Sequence, residues 1–424
     1  MDCVGLATAA TGSGELLQGF GNLPHVEVPA VGAKWLIGGL FLGHIIFGTL
    51  SMGIVLLAPT FELLGRLRGQ PWMDRFANAL ASTNLKLFSF GATLAAFAVT
   101  VMAPLYSNLF IRLFTIFWLP MLTAFLSWPL TIALLLIYVY RWRRMSMERK
   151  GLHIAIGYLG GLSEHLFLFL IVGVDSFMLT PVRSFSWLAI FNPTFWVELV
   201  HRFFGNMSWV LLFVAGAMLV YGHVNREPEE RQYYASAATW CLCIGFLFLV
   251  PQAISGYFFA KSIQTASPGA FTESFTGPFA WLWLVQQAFF GFLLVAANVF
   301  FVQSAARRAG AGLVLLASTF VLSALTLLPS TVYGSYFWVR YIFMFGALLL
   351  TLVHFVWWVF LPHQRPLLRG TGRTTMVAGG VVALFLVLLM GTIRETAKGN
   401  YTIYGAQTVQ QGSALFQPPK GFYP

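Results

Sequence analysis

Ten stretches of about twenty apolar residues, set apart by short polar connections, leave this 424-residue chain one architecture. They fall at about 35–59, 85–106, 113–140, 153–178, 196–222, 233–259, 279–303, 311–329, 336–361 and 374–393. Each is long enough to cross the ~30 Å hydrocarbon core of a bilayer as a helix, which satisfies its own backbone hydrogen bonds where no water can. With 58% hydrophobic and only 9% charged residues, no water-soluble core of this size would hide the apolar surface. The expected fold is all-α: a polytopic transmembrane helix bundle of about ten spans, seated in the lipid bilayer of a cell (inner) membrane.

Charge orders the spans. Arg66, Arg68 and Arg75 follow the first run, and Arg141, Arg143, Arg144, Arg149 and Lys150 the third. Arg226 and Arg231 follow the fifth, Arg307 and Arg308 the seventh, and Arg365, Arg369 and Arg373 the ninth, so 15 of the 25 Lys+Arg lie in alternate connections. The positive-inside rule assigns those to the cytoplasm and both termini to the outer, periplasmic side. The net charge of +11 then reports topology and lipid contact and gives no reason to expect a nucleic-acid partner. Residues 1–32 lack the basic and apolar regions of a cleavable signal and read as an external lead-in. Residues 394–424 read as an external polar arm suited to docking.

Two of the histidines inside spans stand out: His44 in LFLGHIIFGTLSMG and His201 in FNPTFWVELVHRFFG. Ionisable groups in a bilayer are costly, so these are functional candidates, and a neutral imidazole suits haem iron. The sequence has no CxxCH for covalent haem attachment, and Cys241 and Cys243 sit too close together to share a helix face, which reads as packing. Glu198, one turn before His201, is placed to orient the imidazole or to be an interfacial charge. Glu164 and His165 lie in mid-span with Asp175 about three turns outward, a proton path or replacement ligand as against a polar helix contact. His354 is expected at the inner interface, with service to an inner haem or quinone as the alternative. His25, His153, His223 and His363 are expected to be ordinary residues at loops and helix ends.

The segments around both histidines resemble subunit I of the cytochrome bd quinol oxidase family. Gly53 follows His44 by nine residues, as in that family's first helix, where the histidine ligates a high-spin haem. FNPTFWVELVH (Phe191–His201) resembles the turn leading to the low-spin haem histidine, and VDSFMLTP (Val174–Pro181) the end of the fourth helix. RETAKGNYTI (Arg394–Ile403) has the spacing of the family's E-x-x-R-x-P-W element, with Glu395 in the place of a haem-ligating glutamate, Lys398 for the arginine and Tyr401 for the tryptophan. YFWVRYIFMFGALLL (Tyr336–Leu350) resembles the helix carrying the low-spin haem's methionine and keeps Arg340 and Gly346. The resemblance implies His44, His201, Glu395 and Met344 as haem-iron ligands. It implies Arg340, Lys398, Glu198 and Tyr401 as propionate or supporting neighbours, and iron as the metal, held only within haem.

Four departures shape the expected activity. The third span, from Arg112 to Tyr140, contains no Asp or Glu where the family carries two glutamates serving oxygen reduction. The methionine position aligns with Ile342, and Met344, two residues on, faces away from it by roughly 200°, so either the register differs or the second ligand does. The stretch from Lys261 that would help bind quinol is short and is followed by an extra helix pair, and the helix after the E-x-x-R element is missing. The expected organisation is a lead-in (1–32), a haem-binding core (33–260), a short loop plus helix pair (261–330), two last spans (331–393) and the arm (394–424). The expected function is a haem b electron-transfer subunit with one to three haems and without haem d. It would work between the quinone pool and an external redox protein such as a c-type cytochrome, beside a second membrane subunit. The alternatives are a quinol:oxygen oxidoreductase with rearranged carboxylates, and a haem-free structural or transport subunit.

Overall fold

The computed structural model describes residues 26, 28, 32–182, 184–304, 310–328, 330–333, 336–360, 370–397, 401–402 and 407–408. In the first half α1 (Ala33–Arg68) and α2 (Pro71–Leu105) form an antiparallel hairpin. They are followed by α3 (Ser107–Ile116), α4 (Trp118–Tyr140), α5 (Trp142–Glu148) and α6 (Lys150–Leu179). The short α7 (Trp187–Ile190) leads into α8 (Phe195–Val224), which pairs with α9 (Pro228–Ala266). After α10 (Pro268–Phe271) and a π-turn at Thr272–Thr276 come α11 (Ala280–Ser304), α12 (Gly310–Leu325), α13 (Ser330–Tyr333), α14 (Val339–Phe360) and α15 (Gly370–Ala397). One two-residue antiparallel pairing, Tyr401–Thr402 with Gln407–Thr408, completes the described chain.

The fold is an all-α transmembrane bundle. Among the described residues nine helices are long and apolar enough to span: α1, α2, α4, α6, α8, α9, α11, α14 and α15. The expected run at 311–329 is the 16-residue α12, shorter than a span yet packed on α11 and α14. The stretch expected as a loop from Lys261 continues α9 to Ala266, because KSIQTA holds no helix breaker before Ser267-Pro268.

Local chemistry explains two joints. GQPW, an echo of the family's terminal motif in a basic connection, is the turn between α1 and α2. Gly69 takes the left-handed conformation (φ 62°) after the last helical residue, and Pro71 opens α2 where its missing N–H costs nothing. The run 113–140 is broken at Phe117, because the Pro120 ring would collide with the carbonyl four residues earlier, on Ile116. That carbonyl instead accepts the Ser186 N–H at 2.7 Å.

α1 and α8 run parallel and touch where a Cβ on Gly53 would lie 2.7 Å from Val210 Cβ, so only glycine fits. The bundle differs along its length from this point. Towards the arginine-rich end, Leu50, Ile54, Leu57, Ala58 and Phe61 are at most 6% exposed. Towards the other end, every residue of α1 from Trp35 to Thr49 is half-buried or exposed. α8 repeats this, with 206–212 buried and 199–205 not, and α15 is half-buried throughout 387–394. The loosely packed end holds His44 and His201.

Candidate functional site

The NP turn fixes the start of α8. Asn192 is 4% exposed, and its side-chain amide donates to Ser176 Oγ (2.8 Å) and to the Ile190 carbonyl (2.9 Å). The Thr180 and Thr194 hydroxyls pair at 2.7 Å, tying the end of α6 to the first residues of α8. His201 follows less than two turns later. Its Nδ1 donates to the Gln252 backbone carbonyl of α9 at 3.1 Å, since a carbonyl only accepts. Nε2 therefore keeps its lone pair, which the Gln252 side-chain amide approaches at 3.2 Å. A Cβ on Gly256 would stand 3.0 Å from His201 Cε1, so the ring lies in a slot cut for glycine.

His44 repeats the arrangement on another helix. Its Nδ1 donates to the Gly91 carbonyl of α2 at 2.8 Å, and the half-buried ring keeps the Nε2 lone pair for another partner. A backbone carbonyl holding Nδ1–H is how metal-ligating histidines are commonly oriented. Both histidines lie nine residues before the Gly53–Val210 contact on parallel helices, so they share about one depth, roughly 14 Å from that contact.

Four charges gather at the same end. Arg202 Nε meets Glu198 Oε1 at 2.9 Å and Arg394 Nη2 meets it at 3.3 Å, while both arginines also pair with Asp175. Glu198 is thus engaged by arginines, and the acceptor at His201 is the Gln252 carbonyl. Asp175 joins this ion-pair network and so ties α6 to α8 and α15. One turn earlier in α15, a Cβ on Gly391 would lie 3.4 Å from Leu42 of α1. The His44, His201 and Arg394 segments therefore converge. The Glu395 and Tyr401 side chains and the whole of Lys398 lie outside the described residues.

In α14, Ile342 is 67% exposed and Met344 is 7% exposed, so the methionine is the inward residue. The contacts of His201 among the described residues are with Gln252, Ser255 and Phe259 of α9. α14 meets α9 through Tyr257, whose ring is 5.1 Å from Tyr341 and 5.9 Å from Phe345. Arg340 is 2% exposed; it donates to the Leu328 carbonyl at 2.6 Å and lies over Trp283 and Tyr333 at 5.1 and 4.9 Å. No carboxylate is among its described partners.

Glu164 is 4% exposed, with Oε2 unbonded among the described residues and Ser51 alongside. His165 turns elsewhere: Nδ1 donates to the Gly161 carbonyl at 2.9 Å and its ring faces Phe203 of α8. His354, expected at an interface, is 3% exposed because α11 covers it, and its Nδ1 meets Asn298 Oδ1 at 2.6 Å. His153, expected to be ordinary, is 0% exposed and paired with Glu62, a residue the sequence reading passed over. The side-chain cavity lined by Leu212, Phe246, Phe300, Phe301, Phe355 and Met376 is almost wholly apolar; His354 packs on its Phe301 wall, and none of these residues is a described contact of His44 or His201.

Among the described residues no three His, Cys, Asp or Glu side chains gather into a metal cage. The donor set present is single imidazoles whose Nε2 keeps a lone pair, loosely packed walls and a buried guanidinium with no carboxylate among its described partners. That set fits a flat, anionic macrocycle carrying its own metal. A family model described as cytochrome bd terminal oxidase subunit I matches residues 33–273, more than half of the chain. The comparison with curated proteins gives no match. Among solved structures, the bd oxidase from Geobacillus thermodenitrificans superposes with a TM-score of 0.61 at 16% identity, covering 90% of this chain and 90% of that one, a likeness that speaks for the fold. By the match over its first six spans, the chain belongs to the cytochrome bd terminal oxidase subunit I family.

Proposed function

We propose that this chain is a haem b-binding electron-transfer subunit, moving electrons between the membrane quinone pool and an external redox protein such as a c-type cytochrome. The observation that carries the proposal is the pair His44 and His201. Each has Nδ1 held by a backbone carbonyl of a neighbouring helix, at one depth, in a loosely packed part of the bundle. The positive-inside rule puts that end outside, where an external partner would meet it. Bound there, haem would supply the one-electron redox chemistry. The chain's own residues would hold the iron through His44 and His201, with Met344 and Glu395 as further ligands. Arg340 and Lys398 would neutralise propionates, with Tyr401 nearby. The Asp175–Glu198–Arg202–Arg394 network would clamp α6, α8 and α15 around the site.

One observation favours the second reading, a quinol:oxygen oxidoreductase. α4 has no carboxylate, but Glu164 of α6 places an incompletely bonded one in the core, able to replace it in proton delivery. Oxygen uptake by purified protein supplied with quinol separates the two.

The test of the main reading is a dithionite-reduced minus oxidised absorbance spectrum, with haem extraction, on wild type and His201→Ala. A b-type signal that loses one haem's share in the variant is expected. A colourless wild type, expressed with ample haem, would overturn the proposal.

A further inference from the structure

Glu62 and His153 face each other at the arginine-rich end, both 0% exposed. His153 Nδ1 lies 2.9 Å from both carboxylate oxygens, and its Nε2 lies 2.8 Å from the Tyr138 carbonyl. A carbonyl only accepts, so Nε2 carries a hydrogen. The Nδ1–carboxylate contact then holds one further proton, either on the acid, donating to Nδ1, or on the ring, making an imidazolium–carboxylate pair. The two forms have the same net charge, and a proton passes between them over one hydrogen bond.

Among the described residues the side chains that meet this pair come from α4 and α5. Tyr138 stacks on the imidazole at 4.5 Å and Trp142 meets it edge-on at 4.8 Å, while the Tyr138 hydroxyl donates to Glu62 Oε2 at 2.9 Å. The remaining contact is Ser146 of α5, a half-buried hydroxyl in the arginine-rich connection, donating to Glu62 Oε1 at 3.2 Å. The other charged or titratable groups nearby are Asp74 of α2, ion-paired to Lys150 of α6 at 2.6 Å, Arg66 of α1 beside Gly151, and Tyr158 of α6.

The pair also sits at the foot of a file. On α1, Glu62, Ser51 and His44 are 11 and 7 residues apart, which returns each to within about 20° of one helix face. On α6, His153, Glu164 and Asp175 are spaced 11 and 11, with the same result. α1 and α6 pack together, so Ser51 and Glu164 form the next polar level above Glu62 and His153.

We infer that Glu62, His153, Tyr138 and Ser146 form a proton-loading site, taking protons from water at the arginine-rich face for use along the α1–α6 seam. A proton arriving through Ser146 is accepted by the Glu62 carboxylate while His153 keeps its own, so the pair gains one positive charge. Release of either proton restores the neutral pair. The inference rests on the proposed redox function only for what consumes the proton.

The test is a pH-difference infrared spectrum of the full purified chain in H2O and D2O, on wild type, E62Q and S146A. The wild type is expected to show a deuterium-sensitive carboxylic carbonyl band that E62Q removes. The side-chain amide introduced by E62Q keeps an acceptor oxygen for one of the two hydroxyls and turns its NH2 group, as a donor, to the other hydroxyl's oxygen. After a pH jump, S146A should slow the rise of that band about fivefold, the factor one net hydrogen bond is worth, without changing its final size. Absence of a Glu62-dependent band overturns the site. Should E62Q fail to assemble, an unchanged rise rate in S146A overturns it instead. Titration needs no haem: a colourless protein with this band sinks the redox reading alone, and a haem spectrum without the band sinks the loading site alone.

Discussion

Gly53 shows how one missing methyl group sets the distance between two redox candidates. Val210 Cβ lies 2.7 Å from where a Cβ on residue 53 would stand, and no rotamer change moves it, so Gly53→Ala must push α1 from α8. Overpacking of this kind costs about 1–3 kcal/mol. A lower thermal midpoint in lipid nanodiscs is expected, with partial loss of any haem signal from both histidines. The double variant Gly53→Ala/Val210→Gly, which removes the opposing Cβ and its methyls, should recover most of it, which a purely local effect on α1 would not allow. At this scale the sequence was readable unevenly. His44 and His201 stood out because imidazoles are rare in apolar runs. The groups that orient them did not, since the Gly91 and Gln252 acceptors are backbone carbonyls that every residue carries. Glu62 was hidden for another reason: at the end of an apolar run beside arginines it looks like an interfacial charge, and its partner is 91 residues away.

Among the elements, α8 depends on the turn before it. Asn192 gives its amide hydrogens to Ser176 Oγ of α6 and the Ile190 carbonyl of α7, so Asn192→Ala should cost about 0.5–1.5 kcal/mol per lost hydrogen bond. Because His201 begins less than two turns later, the same variant should broaden or shift the low-spin haem band in an absorbance spectrum while leaving overall helicity by circular dichroism unchanged. An unshifted band would separate the turn from the site. The spans themselves were legible, since length and apolarity suffice. The break at Phe117 was legible in principle from Pro120. The choice between Ile342 and Met344 was readable too: Arg340, Met344, Ala347, Leu348 and Thr351 trace one helical stripe, and Met344 is on it. What could not be read was which helices would meet, and hence that Asp175, Glu198, Arg202 and Arg394, from three distant segments, share one network.

Over the whole molecule the unequal packing predicts unequal stability. The end holding Leu50–Phe61 and Val210 is closely packed, and the histidine end is not. Removing haem should therefore loosen the histidine end first, seen as faster amide exchange in 35–49 and 199–205 with little change in 50–65. Uniform exchange along α1 would count against a cofactor filling that space. The common depth of His44 and His201 has an electrical consequence. An electron passing between irons at those positions travels along the plane of the membrane and does almost no work against the transmembrane voltage. A proton climbing from Glu62 towards them crosses most of the field, in which a full crossing is worth about 2.3 kcal/mol per 100 mV. In such a protein the charging of the membrane would be carried by protons, and the electron path would be electrically silent.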